Sequence, residues 1–172
     1  MELSTLTAIS PIDGRYRSQV TPLAPYFSEY GLIRYRVQVE IEYFLFLAEK
    51  KIFKLPVSLK PATVRKIYTE FTEEDALKIK ETEKITNHDV KAVEYFIKEK
   101  LDALGAKDCT EWVHFGLTSQ DINNTAIPLS WKEAIESEYL PQLQNLILVL
   151  RKLASGWKSI SMLARTHGQA AS

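Results

Sequence analysis

Each of the chain's three histidines stands inside a short polar cluster: His88 in TNHD (residues 86–89), His114 in VHFGLTSQD (113–121) and His167 in RTHGQ (165–169). A fourth cluster, DGRY at 13–16, sets an arginine and a tyrosine beside a glycine. Imidazole exchanges protons near neutral pH, a guanidinium fork holds carboxylate or phosphate, and helix amino ends offer N–H groups to anions. Together such groups suit acid–base work on an anionic small molecule. Taken singly, each cluster has a plainer explanation. Asn, Asp, Ser and Thr at helix starts are commonly caps, which accounts for Asn87, Asp89, Thr118 and Ser119. Asp13-Gly14 reads as a turn, Arg15 as a solvated charge, and His114 as a partly buried histidine with a satisfied ring nitrogen. Capping leaves His88 unexplained.

Other chemistries find no support in the sequence. It has no Gly-rich phosphate loop and no nucleophile elbow. One cysteine and three scattered histidines give no clustered metal ligands, so no metal is expected. Lys plus Arg and Asp plus Glu are both 22, and a net charge of zero advertises neither a nucleic-acid nor an anionic-membrane partner. No apolar run approaches the roughly 18–20 residues that cross a bilayer. The lone Cys109 and the start MELSTLTAIS, without a basic and apolar leader, predict a reducing cytoplasm.

The elements that must position these clusters are helical. Residues 1–27, broken by Pro11, Gly14, Pro22 and Pro25, read as a loop-rich arm. Ser28 can cap a helix carrying Ile33, Val37, Ile41, Phe44, Leu45 and Ala48 on one face. Pro61 opens a second, with Val64, Ile67, Tyr68 and Phe71. Thr72 and Asp75 have capping-box spacing before a third, short and polar helix. Val90, Val93, Ile97, Leu101 and Leu104 mark a fourth, which Gly105 ends. Another helix starts near Ser119 or Gln120, with Pro128 and Pro141 as kinks or restarts. Leu140, Leu143, Ile147, Leu150, Ala154 and Trp157 then form a seam that packs along other helices. No convincing strand or repeat interrupts this pattern, so the class is all-α: a small helical amino-terminal domain (1–107) followed by the start of a long-helix bundle (108–172).

The blocks SPIDGRY, FSEYGLIRYRVQVEIEY, TNHDVKAVEYFIKEK, HFGLTSQDINN and RTHGQ, in that order over nearly the full length, resemble the amino-terminal part of the adenylosuccinate lyases, above all the bacterial type. These belong to the fumarase/aspartase superfamily. The resemblance implies β-elimination of fumarate from adenylosuccinate, giving AMP, and from a succinyl-carboxamide ribotide of purine biosynthesis, with no cofactor. It implies His167 as the acid that protonates the departing nitrogen, with His88 also catalytic. Arg15, Tyr16, Asn87, His88, Asp89, Thr118 and Ser119 would bind or orient the substrate, with Lys91 and Gln169 as further contacts and His114 as support. It also implies a homotetramer whose active sites draw on several subunits. Two departures stand out. Gln169-Ala170-Ala171 replaces the family's Gln-Pro-Ala, which predicts a looser segment. The Ser-Ser-x-Met-Pro-x-Lys-x-Asn loop that carries the family's base serine is not in this sequence, so the expectation is an incomplete, inactive fragment ending at Ser172. Two alternatives are an autonomous helical interaction module using the Leu140–Trp157 seam, and another fumarate-releasing lyase of the superfamily.

Overall fold

A computed structural model describes residues 1–161 and 163–171, and the chain divides into two compact units, Met1–Ala134 and Ile135–Ser172. The architecture is helical, as the spacing predicts.

In the first unit the central element is α3 (Glu29–Glu49), against which α2 (Ala24–Phe27), α4 (Pro61–Thr69), α6 (Asp89–Ala103) and α7 (Ser119–Ala134) pack, while α5 (Glu73–Thr86) lies mainly along α6. Ser28 caps α3 by accepting the Gly31 N–H at 3.1 Å. Ile33, Val37, Ile41 and Phe44 on α3 are fully buried with Val64, Val93, Ile97 and Leu101. α3 also buries Tyr35, Arg36 and Glu40, so it is enclosed on more than its apolar stripe. The Thr72–Asp75 capping box forms in full, with aspartate in the place more often taken by glutamate. α6 ends as predicted: Gly105 takes φ +77°, its N–H reaches the Asp102 carbonyl and the Ala106 N–H the Leu101 carbonyl, both at 2.9 Å. These two bonds are the Schellman arrangement that closes a helix at glycine.

Two sequence expectations need correction here. The first 27 residues are not a loop-rich arm: α1 (Asp13–Val20), a 3₁₀ turn (Thr21–Leu23) and α2 occupy Asp13–Phe27. Asp13 opens a helix because its buried carboxylate accepts the Ile9 and Ser10 N–H groups at 2.5 and 2.7 Å and pairs with Arg17 at 2.6 Å. Each proline falls where its missing N–H is harmless, Pro22 and Pro25 both in a first turn. The third predicted helix is not short: α5 runs 14 residues and buries Ala76 and Ile79 against α6.

The second unit opens with a π-helical stretch, Ile135–Tyr139, followed by α8 (Leu140–Trp157), whose first turn holds Pro141. The wider turn leaves room for the proline ring, which would strike the carbonyl four residues back in a regular helix. None of the 18 residues of α8 is buried. Instead of a helix edge, RTHGQ forms a two-stranded hairpin, β1 (Ala164–Thr166) antiparallel to β2 (Gln169–Ala171), with Thr166 opposite Gln169. The turn residues His167 and Gly168 both take positive φ, +49° and +78°, the two-residue turn that matches strand twist. The backbone of Ala170 and Ala171 lies in β2; Ser172 lies outside the described residues.

Candidate active site

The His88 cluster is built at the junction of α5 and α6. Asn87 does not cap α6. It ends α5 in the left-handed region (φ +51°), its N–H bound to the Glu83 carbonyl at 2.8 Å, and this sharp reversal sets α6 on its course. The cap is His88 itself, whose Nδ1 accepts the Lys91 N–H at 3.1 Å. An Nδ1 that accepts has no proton, so the neutral ring carries its proton on Nε2, which faces Ser119 Oγ at 3.3 Å. His88 is half-exposed and therefore presents an N–H donor to solvent-accessible space.

Asp89 occupies the first position of α6. Its Oδ1 accepts the Val90 N–H at 2.8 Å, and its Oδ2 pairs with Arg36 at 2.7 Å. Burial pushes the carboxyl up, but the Val90 amide and the Arg36 guanidinium outweigh it and hold Asp89 below the ordinary range. Arg36, buried on α3, also donates through Nε to Asn123 Oδ1 on α7 at 2.9 Å.

At the start of α7 the Asp121 carboxylate accepts both the N–H and the hydroxyl of Thr118, at 2.7 and 2.9 Å. The Thr118 amide, followed by its hydroxyl, holds Asp121 well ionised. In the preceding loop His114 takes a left-handed conformation (φ +59°), with Nδ1 at 2.5 Å from Oε1 of the fully buried Glu40. Burial pushes Glu40 up and outweighs the opposing pull of His114, and its Oε2 has no hydrogen-bond partner among the described residues. The Phe115 carbonyl accepts the Tyr43 hydroxyl at 3.0 Å, which ties the same loop to α3.

The predicted residues thus divide. His88, Asp89 and Ser119 come together, with Thr118 one residue away. Lys91 points its ammonium at Glu94, 2.9 and 2.8 Å from the two carboxylate oxygens. Arg15 and Tyr16 lie exposed on α1, the guanidinium 5.5 Å from its neighbour's ring centre, and neither bonds to the His88 cluster. His167 and Gln169 are exposed on the hairpin of the second unit. Sequence reasoning missed Arg36, Glu40 and Asn123. For Arg36 and Glu40 the one sequence signal was position: they stand four apart in α3, three after Ile33 and four before Phe44, on the face that is buried. Among the described residues no group of three or more His, Cys, Asp or Glu could hold a metal ion, and no helix is long and apolar enough to cross a membrane.

Residues 14–172 match the family described as lyase, and the chain belongs to that family. Among its relatives, the adenylosuccinate lyase of Dictyostelium discoideum is 57% identical over 99% of this chain and 38% of its own length. The adenylosuccinate lyase of Vibrio cholerae is 49% identical over 100% of this chain and 39% of its own. That of Escherichia coli is 46% identical over 99% and 38%. The chain spans less than two-fifths of the length of these relatives.

Proposed function

We propose that this chain is part of an adenylosuccinate lyase, releasing fumarate from adenylosuccinate to leave AMP, and from the related succinyl-carboxamide ribotide. The observation that carries this reading is identity of 57% along 99% of the chain to a relative of that name. A base takes the proton beside a succinyl carboxylate, the carbanion is held as its aci-carboxylate, and the C–N bond breaks as an acid protonates the leaving nitrogen. His167 is that acid. His88, whose Nε2–H faces Ser119, donates to the substrate as Asn87, Asp89, Thr118 and Ser119 orient it. Arg15 and Tyr16 take the phosphate end, and Lys91 and Gln169 make further contacts. The family's base serine is not among these 172 residues, so turnover requires further protein. The reaction uses no cofactor and takes place in the cytoplasm within a homotetramer. The partner is a small nucleotide, neither nucleic acid nor membrane. In the complete subunit we place the border between the first domain and the bundle near Lys107.

A chimaera in which this chain replaces the matching part of the Dictyostelium relative provides the test. It should release fumarate from adenylosuccinate, and His167→Ala should lower turnover by on the order of 10² to 10⁴. A folded chimaera without activity would remove the lyase reading; undiminished activity in His167→Ala would remove the acid.

A second reading rests on a different observation, the exposure of every residue of α8 with Leu146, Leu148 and Leu150 each more than half exposed. Such a face suits an interaction module that buries it against partner helices. Calorimetry with a nucleotide analogue separates the two: binding that Arg15→Ala or His88→Ala weakens favours the lyase site, whereas association weakened only by changes on the seam, such as Ile147→Asp, favours the module. Another fumarate-releasing lyase is the third reading, tested by offering the chimaera other succinyl substrates.

A further inference from the structure

We infer that Arg36 is a positioning residue that sets the spacing between His88 and Ser119 by bridging the first turn of α6 and the second turn of α7 from the core; the inference rests on the proposed lyase site. Its Nε and one terminal nitrogen belong to a single rigid plane, and they hold acceptors on two different helices, Asn123 Oδ1 at 2.9 Å and Asp89 Oδ2 at 2.7 Å. Asp89 directly follows His88 in the chain. Asn123 comes four residues after Ser119, one turn along the same face of α7. The two arms therefore end beside the two partners of the 3.3 Å His88–Ser119 contact.

Burial makes the bridge stiff. Only 7% of the Arg36 side chain is exposed, so its charge is not solvated by water and depends on these acceptors. Its base is equally fixed, because Tyr35 and Val37 on either side of it are fully buried in α3. Lysine at this place would bring one point charge on a flexible stem and could not hold two acceptors in one plane. The bridge differs from a two-bond arginine contact elsewhere in this unit. Arg65 holds a single carboxylate, Glu42, at 2.7 and 2.9 Å between α4 and α3.

The test combines a spectroscopic and a kinetic measurement. In the 172-residue chain the nuclear Overhauser contact between the His88 ring and the Ser119 methylene should be present, should vanish in Arg36→Lys and Asn123→Ala, and should return in Asn123→Asp, which restores an acceptor for Nε–H. In the chimaera described above, Arg36→Lys should cut kcat for adenylosuccinate by on the order of 10², the loss that a displacement of about 1 Å can cause. Asn123→Asp should remain near the parent. Arg65→Lys, which removes a two-bond contact elsewhere, should alter neither measurement. Retention of the contact and of kcat in Asn123→Ala would overturn the inference, and so would their retention in a folded Arg36→Lys. If the parent chimaera releases no fumarate, the lyase reading fails, while loss of the contact in Asn123→Ala would still support the positioning role.

Discussion

In the first unit α3 buries Ile33, Val37, Ile41 and Phe44 almost completely, whereas α8 in the second exposes Leu146, Leu148 and Leu150 to more than half of their surface. The polar groups differ in the same way. Arg36 holds Asp89 and Asn123 from the core, beside His88 and Ser119, while the backbone of His167 lies in the two-residue turn of a short hairpin. Geometry inherited from a packed core is stiff, and geometry inherited from a turn is local. We read the first unit as a preformed wall of the proposed site. We read the second as a piece whose apolar helix is finished only by further protein.

This contrast is most easily broken by truncating side chains. Phe44→Ala should destabilise the chain by about 3–5 kcal/mol in urea unfolding followed by circular dichroism, because the cavity lies in a closed core. Gly31→Ala should cost about 1–3 kcal/mol, since a Cβ there would meet the Pro25 carbonyl oxygen at 2.7 Å, where α2 backs onto α3. In α8 the expectation reverses: Leu150→Ala should change the stability of the isolated chain by no more than about 0.5 kcal/mol. A cost equal to that of Phe44→Ala would show that α8 is already packed.

Acid sharpens the comparison. Asp89 is held low as described, and Asp75 likewise, where burial raises the carboxyl and the Lys100 ammonium and Thr72 amide outweigh it. A carboxyl held below its unfolded value contributes stability that is complete above that value and lost as the pH falls through the folded one. The first unit should therefore weaken below about pH 4, the ordinary aspartate range. Glu40, raised by burial, acts with the opposite sign: its cost appears as the pH rises through its folded value. Asp89→Asn should flatten the acid limb of a melting-temperature profile, and an unchanged limb would mean that the Arg36 pair contributes nothing to folding.

Much of the scaffold was legible before the structure. The apolar spacing of α3, α4 and α6, the caps at Ser28 and Thr72 and the stop at Gly105 are local signals, and they hold. The polar cluster at 86–89 was also visible as a feature, but not its division of labour, in which His88 caps and Asn87 turns the chain. α1 escaped notice because what starts it is one buried carboxylate gathering two amides, and Asp-Gly more often marks a turn. Arg36, Glu40 and Asn123 were missed for a tertiary reason. A charge within a helix reads as solvated until the helices that enclose it are known, and α3 is enclosed by α4, α6 and α7. The hairpin at 164–171 was too short to produce a strand pattern.

The central claim is the proposed lyase chemistry, in which His88 and His167 each have a part. A double-substitution cycle on kcat in the chimaera tests it most directly, using His88→Ala, His167→Ala and the pair. Groups acting on one transition state should show strong non-additivity, with the double variant hardly slower than His167→Ala alone. Losses that multiply would contradict the account.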